Sequence, residues 1–116
     1  MFLLTFYKIF ERRSKTLGKK ESDFQSKLID KLYDRFPGCI VVKNDPRYLQ
    51  GIPDLTVFYK NKWATLEDKR DRDAHHQPNQ DDYVDLMNQM SFSRFVYPEN
   101  VEEVLDELEQ SFENSR

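Results

Sequence analysis

Between residues 21 and 36 the apolar positions Phe24, Leu28, Leu32 and Phe36 recur every four residues, with Ile29 and Tyr33 beside them. That spacing predicts an amphipathic helix, and Pro37-Gly38 ends it. The pattern then changes. Cys39 to Lys43 is a short β-branched run that predicts a strand, and residues 44–53, with two prolines and a glycine, predict a connection. Asp54 to Tyr59 and Trp63 to Lys69 predict two strands joined at Lys60-Asn61-Lys62 as a hairpin. Arg70 to His76 is polar. Pro78, followed by Asp81 and Asp82, suits a helix N-terminus, and Tyr83, Leu86, Met87 and Met90 supply that helix with an apolar stripe. Phe92 to Tyr97 predicts a further strand, closed by Pro98, and Val101, Val104, Leu105, Leu108 and Phe112 mark a last amphipathic helix. The expected order is αβββαβα: an α/β domain whose mixed central sheet of about four strands is flanked by helices.

With 116 residues the chain fits one domain with a real core but not two. One cysteine, Cys39, cannot form an internal disulfide, which points to a reducing, cytoplasmic setting and a buried apolar role for the thiol. The opening MFLLTFYKIF is apolar but lacks the basic flank and cleavage site of a signal peptide and is too short to span a bilayer. It reads as an amphipathic helix or strand that docks on the domain or on a second copy.

The formal charge of −3 changes meaning once it is divided along the chain. Residues 99–116 carry seven acids and one base, so the acidity is mostly one C-terminal helix, while the rest of the chain carries seventeen bases and fourteen acids. Within it, residues 1–19 with Lys20 form a basic arm (Lys8, Arg12, Arg13, Lys15, Lys19 and Lys20 against Glu11), and Lys69, Arg70 and Arg72 form a second cluster.

The hairpin carries the chemistry. A two-residue loop of Lys60-Asn61 sets Asp54 opposite Glu67, whereas Asn61-Lys62 sets it opposite Lys69. Either register puts Asp54, Thr56, Thr65, Glu67 and Lys69 on one face and Leu55, Val57, Tyr59, Ala64 and Leu66 on the other. A three-residue loop without a bulge would break the arrangement. Two carboxylates at adjacent cross-strand positions repel unless a cation lies between them, and hard oxygen donors suit Mg²⁺ or Mn²⁺. Lys69 would add a positive charge able to orient a water or offset charge on a phosphate. The plainer alternative is a surface salt bridge among the three. Glu21 and Gln80 each stand where the buried stripe of a helix begins, so two helices could aim polar groups at one end of the sheet. Glu21 could instead lie outside a Ser22-x-x-Gln25 capping box, and Gln80 in an exposed first turn.

Pro53-Asp54 followed by Glu67-x-Lys69 resembles the PD-(D/E)xK nuclease signature. With Glu21 on a leading helix, the Gly51-Ile52-Pro53-Asp54 turn and Gln80 opening the next helix, residues 20 to 97 resemble the virus-type replication-repair nuclease branch. Asp68 departs from that pattern, since the family usually has an apolar residue there. The resemblance implies a restriction-endonuclease-like core and divalent-metal-dependent cleavage of DNA. Asp54, Glu67 and the Asp68 carbonyl would be metal ligands, with Glu21 as a further carboxylate, Lys69 positioning the nucleophile and Gln80 supporting it. Small stand-alone members are similar to Holliday-junction resolvases, which act as homodimers on branched DNA, and are frequent in bacteriophages, so the host cytoplasm is a plausible setting. No membrane or nucleotide cofactor is implied. Lys60, Lys62, Arg70 and Arg72 are candidate contacts to the DNA backbone, and His75 and His76 to phosphate. A histidine zinc site lacks a third soft ligand nearby. The rival readings are a catalytically silent DNA- or protein-binding module on the same fold, and an oligomerisation protein acting through residues 1–20 and the final helix.

Overall fold

The computed structural model describes residues 23–114. Its elements follow the periodicity. Helix α1 (Asp23–Arg35) buries Leu28, Ile29 and Leu32 and stops where Gly38, at φ 93°, turns the chain into β1 (Ile40–Lys43). A loop leads to β2 (Leu55–Tyr59), a tight turn to β3 (Lys62–Asp68), and a polar loop to α2 (Gln80–Met90). Strand β4 (Ser93–Val96) and helix α3 (Val101–Glu113) are the last described elements. The result is an α/β fold with one four-stranded mixed sheet and three helices. No helix among the described residues is long and apolar enough to cross a membrane.

Spatial and chain order agree in the sheet, β1-β2-β3-β4, with the first two pairings antiparallel and the last parallel. A parallel neighbour needs a crossover, and α2 supplies it. Tyr59 pairs with Lys62, so the hairpin loop is Lys60-Asn61, the first of the two registers considered above. Lys60 takes a φ of 58°, the left-handed conformation that a two-residue hairpin turn requires at its first position.

Strand alternation sorts the side chains. Leu55, Val57, Ala64 and Leu66 point to the face covered by α1 and α3, where they join Leu28, Leu32, Phe36, Leu105 and Leu108 in one core. Removing each of these large side chains from water contributes about 1.5–3 kcal/mol. Cys39 is buried in the same core. Arg35 clamps the two helices by ion pairs of 2.9 Å to both Asp106 and Glu109 and 3.5 Å to Glu102, and Lys31 adds a 2.8 Å pair to Glu102. The acidity of the last helix is thus partly engaged inside the domain. On the opposite face α2 covers β3 and β4, with Val84 buried there and the Thr65 and Ser93 hydroxyls 2.8 Å apart beneath it. The β1–β2 half of that face has no helix over it among the described residues.

Two strands are shorter at one end than the sequence pattern suggests: Asp54 precedes β2 and Lys69 follows β3. Both remain tethered to the sheet by backbone bonds, Asn44 N to Asp54 O at 2.8 Å and Lys69 N to Val96 O at 2.7 Å. Asp54 and Lys69 therefore keep their alternation without being counted in the ladder. Glu21 and the arm of residues 1–19 lie outside the described residues.

Candidate active site

Extending the β2–β3 register by one residue sets Asp54 opposite Glu67, at the end of the sheet toward which the N-terminus of α2 points. Here the polar side of the hairpin goes under cover. Glu67 is only 3 % exposed, and the Lys69 side chain 9 %. Strand β3 aims both toward α2, where Gln80 in the first helical turn meets them. Gln80 Nε2 donates to Glu67 Oε2 at 2.7 Å, while its Oε1 accepts from Lys69 Nζ at 2.6 Å and from the Gln77 amide at 2.8 Å. Both ends of the side-chain amide are matched, so its orientation follows from its partners. Lys69 Nζ also donates to the His75 carbonyl at 3.0 Å and stands 3.7 Å from Glu67 Oε2. Gln80 is therefore not an exposed first-turn residue. It is a buried bridge between the carboxylate and the ammonium.

Asp54 arrives from the other side. Its Oδ2 accepts from the Asp68 amide at 3.1 Å, an anchor within the hairpin itself. Asn44, just beyond β1, donates from Nδ2 to Pro53 O and to Thr56 Oγ1, each at 2.8 Å, and so straps the turn that carries Asp54. Asn44→Ala leaves two partly buried acceptors without a donor, and should cost about 1–2 kcal/mol in a denaturant titration. Gly51, at φ 91°, is pressed against the turn that opens α2: a Cβ there would meet the Asn79 Cβ at 2.6 Å and the Pro78 carbonyl at 2.8 Å. The loop bearing Asp54 and the helix bearing Gln80 are in this way locked together at one backbone contact.

Crowding these acids has an electrostatic cost. Burial, then the Asp68 carboxyl within hydrogen-bonding reach, then the charges of Asp68 and Glu67 push the Asp54 carboxyl up to about 9. Burial also raises Glu67, to about 7; the Lys69 charge pulls it back, the Asp68 charge raises it, and the adjoining Asp54 groups temper it. Glu67 Oε1 is buried with no hydrogen-bond partner among the described residues. Asp68 sends its own side chain toward α1, where Gln25 Nε2 donates to its two oxygens at 3.1 and 3.3 Å.

The site opens to solvent through a cleft of about 570 Å³ whose walls include Arg47, Gly51, Asp54, Gln77 and Gln80. Of the other candidates, Arg70, Arg72 and His75 lie exposed on the loop that follows Lys69, with the Arg72 guanidinium 5.7 Å from the Tyr97 ring. His76 is engaged: it stacks on Phe95 at 4.3 Å and bonds Asp81 at 2.7 Å. Lys60 and Lys62 sit at the far end of the hairpin, five residues or about 17 Å along β3 from Glu67. Lys60 lies over the Tyr59 ring, and Lys62 donates to the Ser111 carbonyl at 3.4 Å. The structure thus brings Asp54, Glu67, Asp68, Lys69 and Gln80 together, leaves the two hairpin lysines apart, and adds Gln25, Asn44, Gln77 and Arg47. Gln25 had a visible signal, a polar residue next to the core-facing stripe of α1. The others did not.

Among the described residues no three His, Cys, Asp or Glu side chains form a ready metal-binding group. The donor set expected from the sequence contains only two side chains within that region, Asp54 and Glu67, the rest being the Asp68 carbonyl and Glu21. Comparison with protein-family profiles, curated proteins and solved structures found no match to this chain.

Proposed function

We propose that this chain is a divalent-metal-dependent endodeoxyribonuclease of the PD-(D/E)xK type, with a restriction-endonuclease-like core, hydrolysing DNA phosphodiesters and preferring branched DNA. On this reading it works as a homodimer on intracellular DNA. One observation carries the proposal: a buried carboxylate, Glu67, with an oxygen that finds no hydrogen-bond partner among the described residues, beside a nearly buried lysine and a second acid, Asp54, that lines a cleft. A salt bridge kept only for stability would leave no such oxygen, because an unpartnered buried acceptor costs about 1–3 kcal/mol.

These residues fit a hard divalent cation. Asp54 and Glu67 present carboxylate oxygens toward one another, burial first and neighbouring acid charge second raise the pKa of each, a cost of ionisation that a cation would relieve, and no soft donor is involved. Asp54, Glu67 and the Asp68 carbonyl would hold Mg²⁺ or Mn²⁺, with Glu21 as a further acid. Bound there, the ion would supply Lewis acidity and a water of lowered pKa.

The chain's own groups do the positioning. Lys69 has three N–H donors, of which Gln80 and the His75 carbonyl take two, leaving one for a water or a phosphate oxygen. Gln80 fixes the Lys69 ammonium and the Glu67 carboxylate relative to each other, so neither must reorganise as charge develops. Arg70, Arg72 and His75 on the adjoining loop would hold backbone phosphates without reading bases. Lys60 and Lys62 would meet only DNA that runs the length of the hairpin.

The test is incubation of the purified protein with fluorescent four-way, flap and linear duplex DNA in Mg²⁺, Mn²⁺ or EDTA. Cleavage should require the metal and favour the branched substrates, and Lys69→Ala should slow it by about 10²–10³-fold, measured below the lowered melting temperature that loss of its buried partners brings. Cutting that survives EDTA, or a Lys69→Ala enzyme as fast as wild type, would remove the proposed site from the chemistry.

A further inference from the structure

Seven large apolar side chains are left exposed among the described residues, and five of them share one region. Ile40 pairs with Phe58 in the β1–β2 ladder, and Val42 lies two residues along on the same face, the half of the sheet that α2 does not cover. Asn88 and Asp81 of α2 contact Ser93, Arg94 and His76 on the β4 side, so the helical period turns Leu86 and Met90 toward β2. These five side chains are 41 to 64 % exposed, and Trp63, paired with Phe58, lies half-buried at their border. Together they make an apolar shelf of roughly 500 Å², the size of patch that on a single domain is commonly an occupied surface.

We infer that the shelf formed by the open β1–β2 face and the adjoining flank of α2 is the docking site of the chain's own residues 2–10. The sequence there, Phe-Leu-Leu-Thr-Phe-Tyr-Lys-Ile-Phe, carries seven apolar or aromatic side chains that need cover. Reach is ample. Helix α1 begins at the site end of the sheet, where Gln25 meets Asp68. Residues 11–22 can extend to about 40 Å, whereas crossing two strands and one layer needs about 20 Å. Charge favours the path, because the basic run Arg12 to Lys20 would cross the end of the sheet that carries Asp54, Glu67 and Asp68. A second copy is a poorer occupant, since the shelf falls short of the ~800 Å² per partner of a stable interface.

The test uses the full chain with a nitroxide attached through Thr5→Cys; Cys39, 3 % exposed, stays unlabelled. The NMR signals of Ile40, Val42, Phe58, Leu86 and Met90 should lose most of their intensity. In a mixture of spin-labelled protein without isotope and isotope-labelled protein without the nitroxide they should not. Phe58→Asp, at an exposed position, should restore the remaining signals while those of Leu32 and Leu108 stay in place; if that variant unfolds, Ile40→Lys serves the same purpose. Unbroadened shelf signals, broadening in the mixed sample, which would mean a second copy, or broadening that persists in the folded variant would each overturn the assignment.

Discussion

Asp54→Asn should abolish DNA cleavage and at the same time raise the melting temperature of the metal-free protein at pH 8. Loss of activity follows from removing a charged ligand opposite Glu67, and about 10³-fold or more is expected from transition-state stabilisation of this kind. The gain in stability follows from linkage. Asp54 and Glu67 have folded-state pKa values raised to about 9 and about 7, so between pH 4 and pH 9 the folded protein holds more protons than the unfolded chain. The stabilisation these groups provide is complete below their ordinary carboxylate pKa and is lost as pH rises through the raised values. At pH 8 the fold therefore keeps on Asp54 a proton that the unfolded chain releases, a strain that Asn removes. Asp54 is partly exposed and solvent screens part of the strain, so the expected shift is about 5 °C, what about 1 kcal/mol produces in a domain of this size. Thermal melts at pH 5 and pH 8, with and without Mg²⁺, check the argument. The wild type should melt lower at pH 8 than at pH 5 and recover with metal, whereas Asp54→Asn should lose most of both responses. A wild type indifferent to Mg²⁺ at pH 8 would mean that the carboxylates hold no ion.

Gly51→Ala should destabilise the domain by about 3 kcal/mol and reduce cleavage with it. Two costs combine at this position. A φ of 91° is strained for any residue with a Cβ, at about 1 kcal/mol, and the added methyl would lie 2.6 Å from the Asn79 Cβ and 2.8 Å from the Pro78 carbonyl, an overpacking worth about 1–3 kcal/mol. The contact cannot relax by rotating a side chain, because backbone stands on both sides of it. To relieve it, the loop must withdraw from α2 and carry Asp54 away from Gln80 and Glu67. A denaturant titration measures the first effect and single-turnover cleavage the second. Gly38→Ala is the control: Gly38 also has a positive φ, but a Cβ there meets nothing within 4 Å, so only the smaller conformational cost should appear, with cleavage unchanged. Equal losses in the two variants would show that the loop–helix contact has no special role.

The elements were legible where one residue type repeats at one period. Phe24, Leu28, Leu32 and Phe36 mark α1, and the alternation in residues 54 to 69 separates the two faces of the hairpin without tertiary knowledge. The short connection limits the hairpin to two favourable registers, and the observed Tyr59–Lys62 pairing selects the one with Asp54 opposite Glu67. What could not be read are contacts between segments distant in sequence. Gly51 against Asn79, Gln25 on Asp68 and the burial of Gln80 each depend on how a helix or loop docks, and one residue's chemistry does not announce it. The two lysines at Lys60 and Lys62 show the converse. Charge drew them into one set with Arg70 and Arg72, although the hairpin places its turn and its open end at opposite ends of the sheet.

The pairing of α1 with α3 has a consequence for how the protein is made. Arg35 and Lys31 find their partners about seventy residues downstream, and Val104, Leu105, Leu108 and Phe112 close the core over β1, β2 and β3, which leave the ribosome well before them. Until the final helix emerges, the nascent chain carries Leu28, Leu32 and Leu66 with one wall missing. Native contacts this distant also slow folding, because loop closure precedes the reward. Translational pausing before Val101 should therefore leave a species that holdase chaperones retain, and release should follow synthesis of the last thirteen-residue helix.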